Sequence, residues 1–239
     1  MQTTQAIVLR AVRYSDTRMV VSFFTEHYGL LSAMVRMSRG RSGGRSALWQ
    51  QLTLVEMSVD YRSSANMQKV SDVAIRLPWR DLPYNPLKAS VSMFLAEFLY
   101  RSLRGEGENR PLFSFLVNSL QWLDEAEAGI VNFHLLFMIR MTRFLGIWPG
   151  VDGYARNAVY DLQGACFSTV LPLHGHYVEA QDAMWIPLLL RMGYAGMRRL
   201  RIEQGRRRYM LEQLLLYYRL HVPAFGELQS LEVLKELFS

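Results

Sequence analysis

The stretch AIVLRAVRYSDTRMVVSFFTEHYGLLSAMVRMSRGRSGGRSALW, Ala6 to Trp49, decides the fold. Its middle alternates: Met19, Val21 and Phe23 fall on one face of an extended segment, and Arg18, Val20, Ser22 and Phe24 on the other. After a turn marked by Gly29 the period returns, with Leu31, Ala33, Val35 and Met37 on one side and Leu30, Ser32, Met34 and Arg36 on the other. Two half-buried strands follow from that pattern. Upstream, Gln5 to Arg13 is apolar on both faces at Ile7, Val8 and Leu9, as a central barrel strand is, and Tyr14-Ser-Asp-Thr17 carries turn chemistry. Downstream, Ser38-Arg-Gly-Arg-Ser-Gly-Gly-Arg45 has nothing to bury. Its glycines and serines give freedom, while Arg39, Arg41 and Arg45 keep it solvated and positive.

Working outward, a fourth strand fits Leu52 to Val59 and a fifth Met67 to Ile75. Five short strands before Leu77 predict a partly open OB-type barrel, whose second and third strands and adjoining loops hold oligonucleotides. The pattern then changes. Residues 78–86 are a proline-rich linker, and Asn85 with Pro86 is a helix start, an N-cap followed by a residue preset for the first turn. Helices are predicted from there to Arg104, from Pro111 to Asp124, and from Ile130 to Leu145, where Gly146 and Pro149 stop the last one. The aromatic stripes on these helices (Phe94, Phe98, Phe113, Trp122, Phe133, Phe137) read as core. Between residues 150 and 186 the period is lost, and an irregular insertion is expected. Helices resume over Pro187–Glu203 and Arg206–His221, and a short closing helix fits Gln229–Phe238. The class is therefore α+β: an OB-type domain over residues 1–77, the linker, and a helical domain over 87–239.

Charge is placed unevenly. Residues 1–80 hold eleven basic and five acidic residues, so the 27 basic and 21 acidic residues of the whole chain leave sixteen of each for the rest, and the net +6 sits on the first third. Lys69, Lys88 and Lys235 are the three lysines among those 27 basic residues; the other cations are arginines. Guanidinium groups fork onto phosphate oxygens and stack on bases, which points to nucleic acid; GC-rich coding gives the same bias, and composition leaves the two readings equal. The single cysteine, Cys166, excludes an internal disulfide and fits a reducing compartment. Arg10 interrupts the first apolar run, and His134, Arg140 and Arg143 interrupt the longest, so no export signal or membrane span is expected and the cytosol is the default.

The residues expected to meet phosphate are Arg13, Arg18, Arg36, Arg39, Arg41 and Arg45, with Tyr14 and Tyr28 for base stacking; Trp49 fits stacking and core equally. A second basic cluster, Arg198, Arg199, Arg201, Arg206, Arg207 and Arg208, reads as a solvated surface, an extension of the nucleic-acid track, or a receptor for an acidic segment. His174 and His176 could join Cys166 at a metal. A closed zinc site wants four ligands, however, and Cys166 has no partner at C-x-x-C spacing, so a loop with a buried thiol is expected. No G-x-x-x-x-G-K-[ST] loop is present, and no cofactor is expected. Two further readings stay open, a helical scaffold whose barrel docks a protein, and an enzyme built on Cys166, His174 and His176.

Ala6-Ile-Val-Leu9, Arg13-Tyr-Ser-Asp-Thr17, Phe24-Thr-Glu-His-Tyr-Gly-Leu30 and Arg39-Gly40 resemble the RecO family of bacterial recombination mediators. So does Tyr217-Tyr-Arg-Leu-His-Val-Pro-Ala-Phe-Gly-Glu-Leu-Gln-Ser-Leu-Glu-Val-Leu-Lys235 at the other end. The resemblance implies a non-enzymatic, nucleoid-associated repair protein. Such a protein binds single- and double-stranded DNA, anneals complementary strands, contacts the acidic tail of single-strand-binding protein, associates with RecR and helps load RecA. Arg198, Arg199, Arg201, Arg206 and Arg207 are the expected receptor for that tail. Many members carry a four-cysteine zinc module in the helical domain; this chain keeps Cys166 alone there, and no metal is carried over.

Overall fold

The computed structural model describes residues 1–36, 47–232 and 234. Contacts gather them into two compact units, Met1–Glu125 with Leu228–Leu234, and Ala126–Glu227. Compactness thus divides the chain differently from secondary structure, since the first unit holds the sheet and two helices.

In that unit β1 (Gln2–Arg13), β2 (Arg18–Thr25), β3 (Gly29–Arg36), β4 (Leu54–Asp60) and β5 (Lys69–Leu77) form one antiparallel sheet of order β3-β2-β1-β4-β5. The sheet curls. Gln68, just before β5, donates its N–H to Ser32 O of β3 at 2.8 Å and forms a parallel bridge with Ala33. The alternation of the sequence sets the two faces as expected. Ala6, Val8, Val21, Phe23, Leu31, Ala33, Val55, Met57 and Val59 fill the inside, and Trp49 meets Phe23 edge-on at 6.3 Å, so Trp49 belongs to the core. Outside, Phe24 stacks on Phe113 at 6.4 Å.

One residue breaks the alternation in β1. Val8 faces Phe23 while Arg10 faces Ser22, so Leu9 is an extra residue, a bulge. Before it Ala6 and Val8 point inward; after it Ala11 does. Arg10 is thereby turned to the outer face, beside Ser22.

Helix α1 (Pro86–Ser102) starts as its sequence dictates: the Asn85 side chain accepts the N–H groups of Leu87 and Lys88, with Pro86 in the first turn. Helix α2 (Arg110–Glu125) follows. Its end fixes the proline-rich segment. The buried Asp124 carboxylate accepts the N–H groups of Arg80, Asp81 and Leu82 at 2.9, 2.9 and 2.7 Å. The buried Lys88 ammonium donates to Asp124 O at 2.7 Å and pairs with Asp81 at 2.7 Å, which holds the Asp81 carboxyl below its ordinary value. The linker is irregular but pinned. Gly29 sits at φ +67°, and Leu30 N–H donates to Glu106 O at 3.0 Å, tying the β2–β3 turn to the α1–α2 connection.

The second unit packs α3 (Phe133–Met141) against α6 (Gln204–His221), where the Tyr218 hydroxyl donates to Met138 O at 2.8 Å. His134, fully buried in α3, is held neutral: burial first, then the Arg207 charge, lowers its pKa to about 3. The expected irregular insertion contains a small antiparallel sheet, β6 (Val159–Asp161), β7 (Cys166–Ser168) and β8 (Tyr177–Val178), in the order β7-β6-β8. Strands of two or three residues are too short to show a period of two. The helix expected over Pro187–Glu203 is also broken. A short α4 (Ala180–Ala183) precedes it, and the span itself divides between α5 (Trp185–Arg191) and a 3-10 turn at Tyr194–Arg199, because Met192 and Gly193 are extended. Of the closing helix, residues 231, 232 and 234 are helical, and the remainder of its predicted C-terminal end lies outside the described residues. Among the described residues no helix is long and apolar enough to cross a membrane.

Candidate nucleic-acid interface

Arg18 and Arg36 face each other directly across β2 and β3, on the outer face set by their alternation. Both are exposed, and among the described residues neither has an acidic partner within salt-bridge distance. Arg18 reaches Met34 Sδ at 3.8 Å. Two like charges directly opposite on a sheet repel, and an anion between them removes the cost. Tyr14 stands next to the pair. Its N–H donates to Arg18 O at 3.0 Å, and its ring is 69% exposed, free of the sheet.

The other predicted residues do not join this group. Arg13 pairs with Met19 and so lies on the opposite face; its guanidinium donates to Asp16 at 2.6 Å in an exposed ion pair. Arg39, Arg41 and Arg45 lie outside the described residues. Tyr28 sits beyond the far end of β2, about 23 Å from Arg18 by strand rise. There its hydroxyl donates to Gln2 at 2.8 Å, and its ring stacks on Tyr61 at 4.6 Å with 14° between planes. Tyr61, half exposed in the β4–β5 connection, is a second exposed ring that the sequence did not single out; β2 and β4 flank the start of β1, and the residues just past their ends meet beside Gln2. Tyr28 and Tyr61 form a separate aromatic platform. Arg10 was missed as well, because strand parity without the Leu9 bulge points it inward.

In the second unit the basic cluster splits. Arg206 binds Asp182 at 2.9 Å and lies over Trp185, Arg208 pairs with Glu212 at 3.4 Å, and half-buried Arg207 donates to Ile202 O at 3.3 Å. Arg198, Arg199 and Arg201 stay exposed. Cys166 is exposed rather than buried, at the start of β7. His174 Nε2 lies 3.3 Å from Asp161, its Nδ1 accepts the His176 N–H at 3.0 Å, and the two rings stack at 5.7 Å. Burial raises the Asp161 carboxyl, but the N–H groups of Gly164 and Gln163, with His174, outweigh it and hold it below its ordinary value. These residues serve each other, and among the described residues no three His, Cys, Asp or Glu side chains are placed to hold a metal. They do not fit a zinc ion.

A family profile described as Recombination protein O N terminal matches residues 1–78, and one described as Recombination protein O C terminal matches residues 83–231. The DNA repair protein RecO of Phocaeicola vulgatus is 43% identical over 240 residues, covering all of both chains. The chain belongs to the RecO family. The RecO protein of Bacteroides fragilis is 40% identical over 240 residues, spanning 100% of this chain and 99% of its own. That of Christiangramia forsetii is 31% identical over 237 residues, 98% of each. RecO membership gives the chain a role in recombinational DNA repair, and the N-terminal match spans the entire OB-type sheet.

Proposed function

We propose that the chain is a non-enzymatic mediator that binds single- and double-stranded DNA, anneals complementary strands and helps load RecA in company with RecR. The observation that carries this reading is the Arg18–Arg36 pair, two exposed guanidiniums opposite each other beside the exposed Tyr14 ring. Phosphate neutralisation on such a surface releases counterions, and stacking adds affinity with little sequence preference. Two strands held on one positive surface repel less and meet at higher local concentration, which promotes annealing without a nucleotide cofactor.

Replacing Arg18 and Arg36 together with alanine is expected to weaken binding to a labelled single strand about tenfold. The salt slope should fall by roughly 1.4, about 0.7 for each lost phosphate contact. Fluorescence anisotropy across a salt series measures both, and an unchanged slope would remove these residues from the interface.

In the second unit, exposed Arg198, Arg199 and Arg201 are the part of the cluster available to the acidic tail of single-strand-binding protein, since Arg206 and Arg208 already hold acids. Reversing those three charges should weaken a tail peptide about tenfold in a titration, about 1.4 kcal/mol. Binding that survives the reversal places the tail elsewhere.

A further inference from the structure

A second cluster in the first unit lies away from the Arg18–Arg36 pair. Arg10 on β1 and Arg104 just past α1 both stand over the Tyr100 ring, with guanidinium carbons 5.2 and 5.3 Å from its centroid. Among the described residues neither Arg10 nor Arg104 has an acidic partner within salt-bridge distance. Arg101 stands 3.9 Å from Glu97, at the edge of pairing distance. Glu97 is already engaged, because it accepts the Gln229 and Ser230 N–H groups at 3.0 and 2.8 Å and the Ser230 hydroxyl at 2.7 Å. Burial raises Glu97, but those donors and Arg101 outweigh it, so the carboxyl stays below its ordinary value and its charge is spent locally. The three arginines keep donors to spare.

Beside them opens a cavity of about 370 Å³, lined among others by Arg10, Met93, Glu97, Tyr100, Arg101 and Ser230. Its size falls within the range of roughly 300–1,000 Å³ that holds small ligands. Met93 gives it apolar surface for a base, and Arg10 and Arg101 outnumber the Glu97 carboxylate, which already accepts from Gln229 and Ser230, as a phosphate requires. The site described above runs toward it. Arg10 lies opposite Ser22, four residues along β2 from Arg18, about 13 Å by strand rise. Between them the outer face carries Val12, Val20 and Met34, with Val12 44% exposed, an apolar floor suited to bases and without charge.

We propose that the cleft between Arg10 and the C-terminal turn of α1 is a second contact for single-stranded DNA, holding one nucleotide of a strand that runs from Arg18 and Arg36 across the outer sheet face. This rests on the DNA-binding reading above. The occupant is a single strand because a cavity of this size admits an unstacked base and its phosphate and excludes a duplex. Arg10, which lines the cavity, and Arg104 beside it meet phosphate, and the Tyr100 ring over which both stand holds the two guanidiniums in place.

The test is anisotropy with two labelled oligothymidylates, one of about 4 nucleotides and one of about 12, within the span of site sizes for such folds. Arg10→Ala with Arg104→Ala should weaken the longer strand about tenfold, lower its salt slope by roughly 1.4, and leave the shorter strand unchanged. Tyr100→Leu should weaken the longer strand several-fold, and Tyr100→Phe, which keeps the ring in its packing, should not. If the longer strand is unaffected by the Arg10/Arg104 pair while Arg18→Ala with Arg36→Ala lowers its slope, the cleft is not a DNA contact, and the sheet surface stands. An acidic peptide that loses binding to the Arg10/Arg104 variant while DNA binding is intact makes the cleft a peptide site and overturns the proposal. Failure of the unsubstituted protein to bind either oligonucleotide at low salt removes the DNA-binding reading itself.

Discussion

Asp124→Ala is expected to lower the stability of the Met1–Glu125 unit by about 3 kcal/mol and its melting temperature by on the order of 10 °C. The carboxylate accepts three successive N–H groups, from Arg80, Asp81 and Leu82, and alanine leaves all three without an acceptor. Bonds to a charged acceptor contribute more than neutral ones, and a donor stranded inside bears its full desolvation cost. Leu82 is 2% exposed, so water cannot repair its loss, whereas Arg80 and Asp81 are nearer the surface and recover part of theirs. That difference keeps the expected loss near the lower end for a broken buried network. Asp124→Asn retains one acceptor oxygen and should lose about half as much. Thermal denaturation followed by circular dichroism measures both variants, and a melting point unmoved by Asp124→Ala would mean that the 78–86 segment is not held this way.

Gly29→Ala should cost about 3 kcal/mol or more, from two sources that a second variant separates. At φ +67° any L residue is strained by roughly 1–2 kcal/mol. A Cβ would also land against the Glu106 and Gly107 carbonyls, which are backbone and cannot swing away, so the Leu30 N–H bond to Glu106 O would be forced apart. Gly105 has φ +83° and open space where its Cβ would stand. Gly105→Ala therefore reports the backbone strain alone, and the excess of Gly29→Ala over it is the steric part. Urea denaturation midpoints give the comparison; equal losses would mean that the turn and the α1–α2 connection do not approach as closely as described.

Much of the first unit was legible because its signals are local. The alternation of β2 and β3 placed Arg18 and Arg36 on one face, and Asn85-Pro86 located the start of α1 to the residue. What escaped depends on pairing between distant segments. Ile7, Val8 and Leu9 are all apolar, so nothing in that run says which one is extra, and the facing of Arg10 and Arg13 hangs on that choice. Tyr61 meets Tyr28 because β2 and β4 pair with the same end of β1. In the second unit, β6, β7 and β8 are shorter than any period that could announce them, and Arg206 looked available because its partner Asp182 lies on another element, whereas Glu212, four residues on from Arg208 along one helix, was open to reading. A run of charges in sequence carries no record of partners held on other elements.

The extra residue at Leu9 also bears on how relatives of this chain are aligned. Along an unbroken strand, facing is a matter of odd and even, and a single insertion exchanges the two for everything downstream until another irregularity restores them. A homologue lacking the insertion would have to carry its outward cation one place nearer the first strand's start to occupy the same point in space. Column-by-column comparison would score that shifted arginine as a loss, while counting residues from the β1–β2 turn backward would recover it. Gap placement within residues 7–10 therefore decides whether two family members are judged to share this cation.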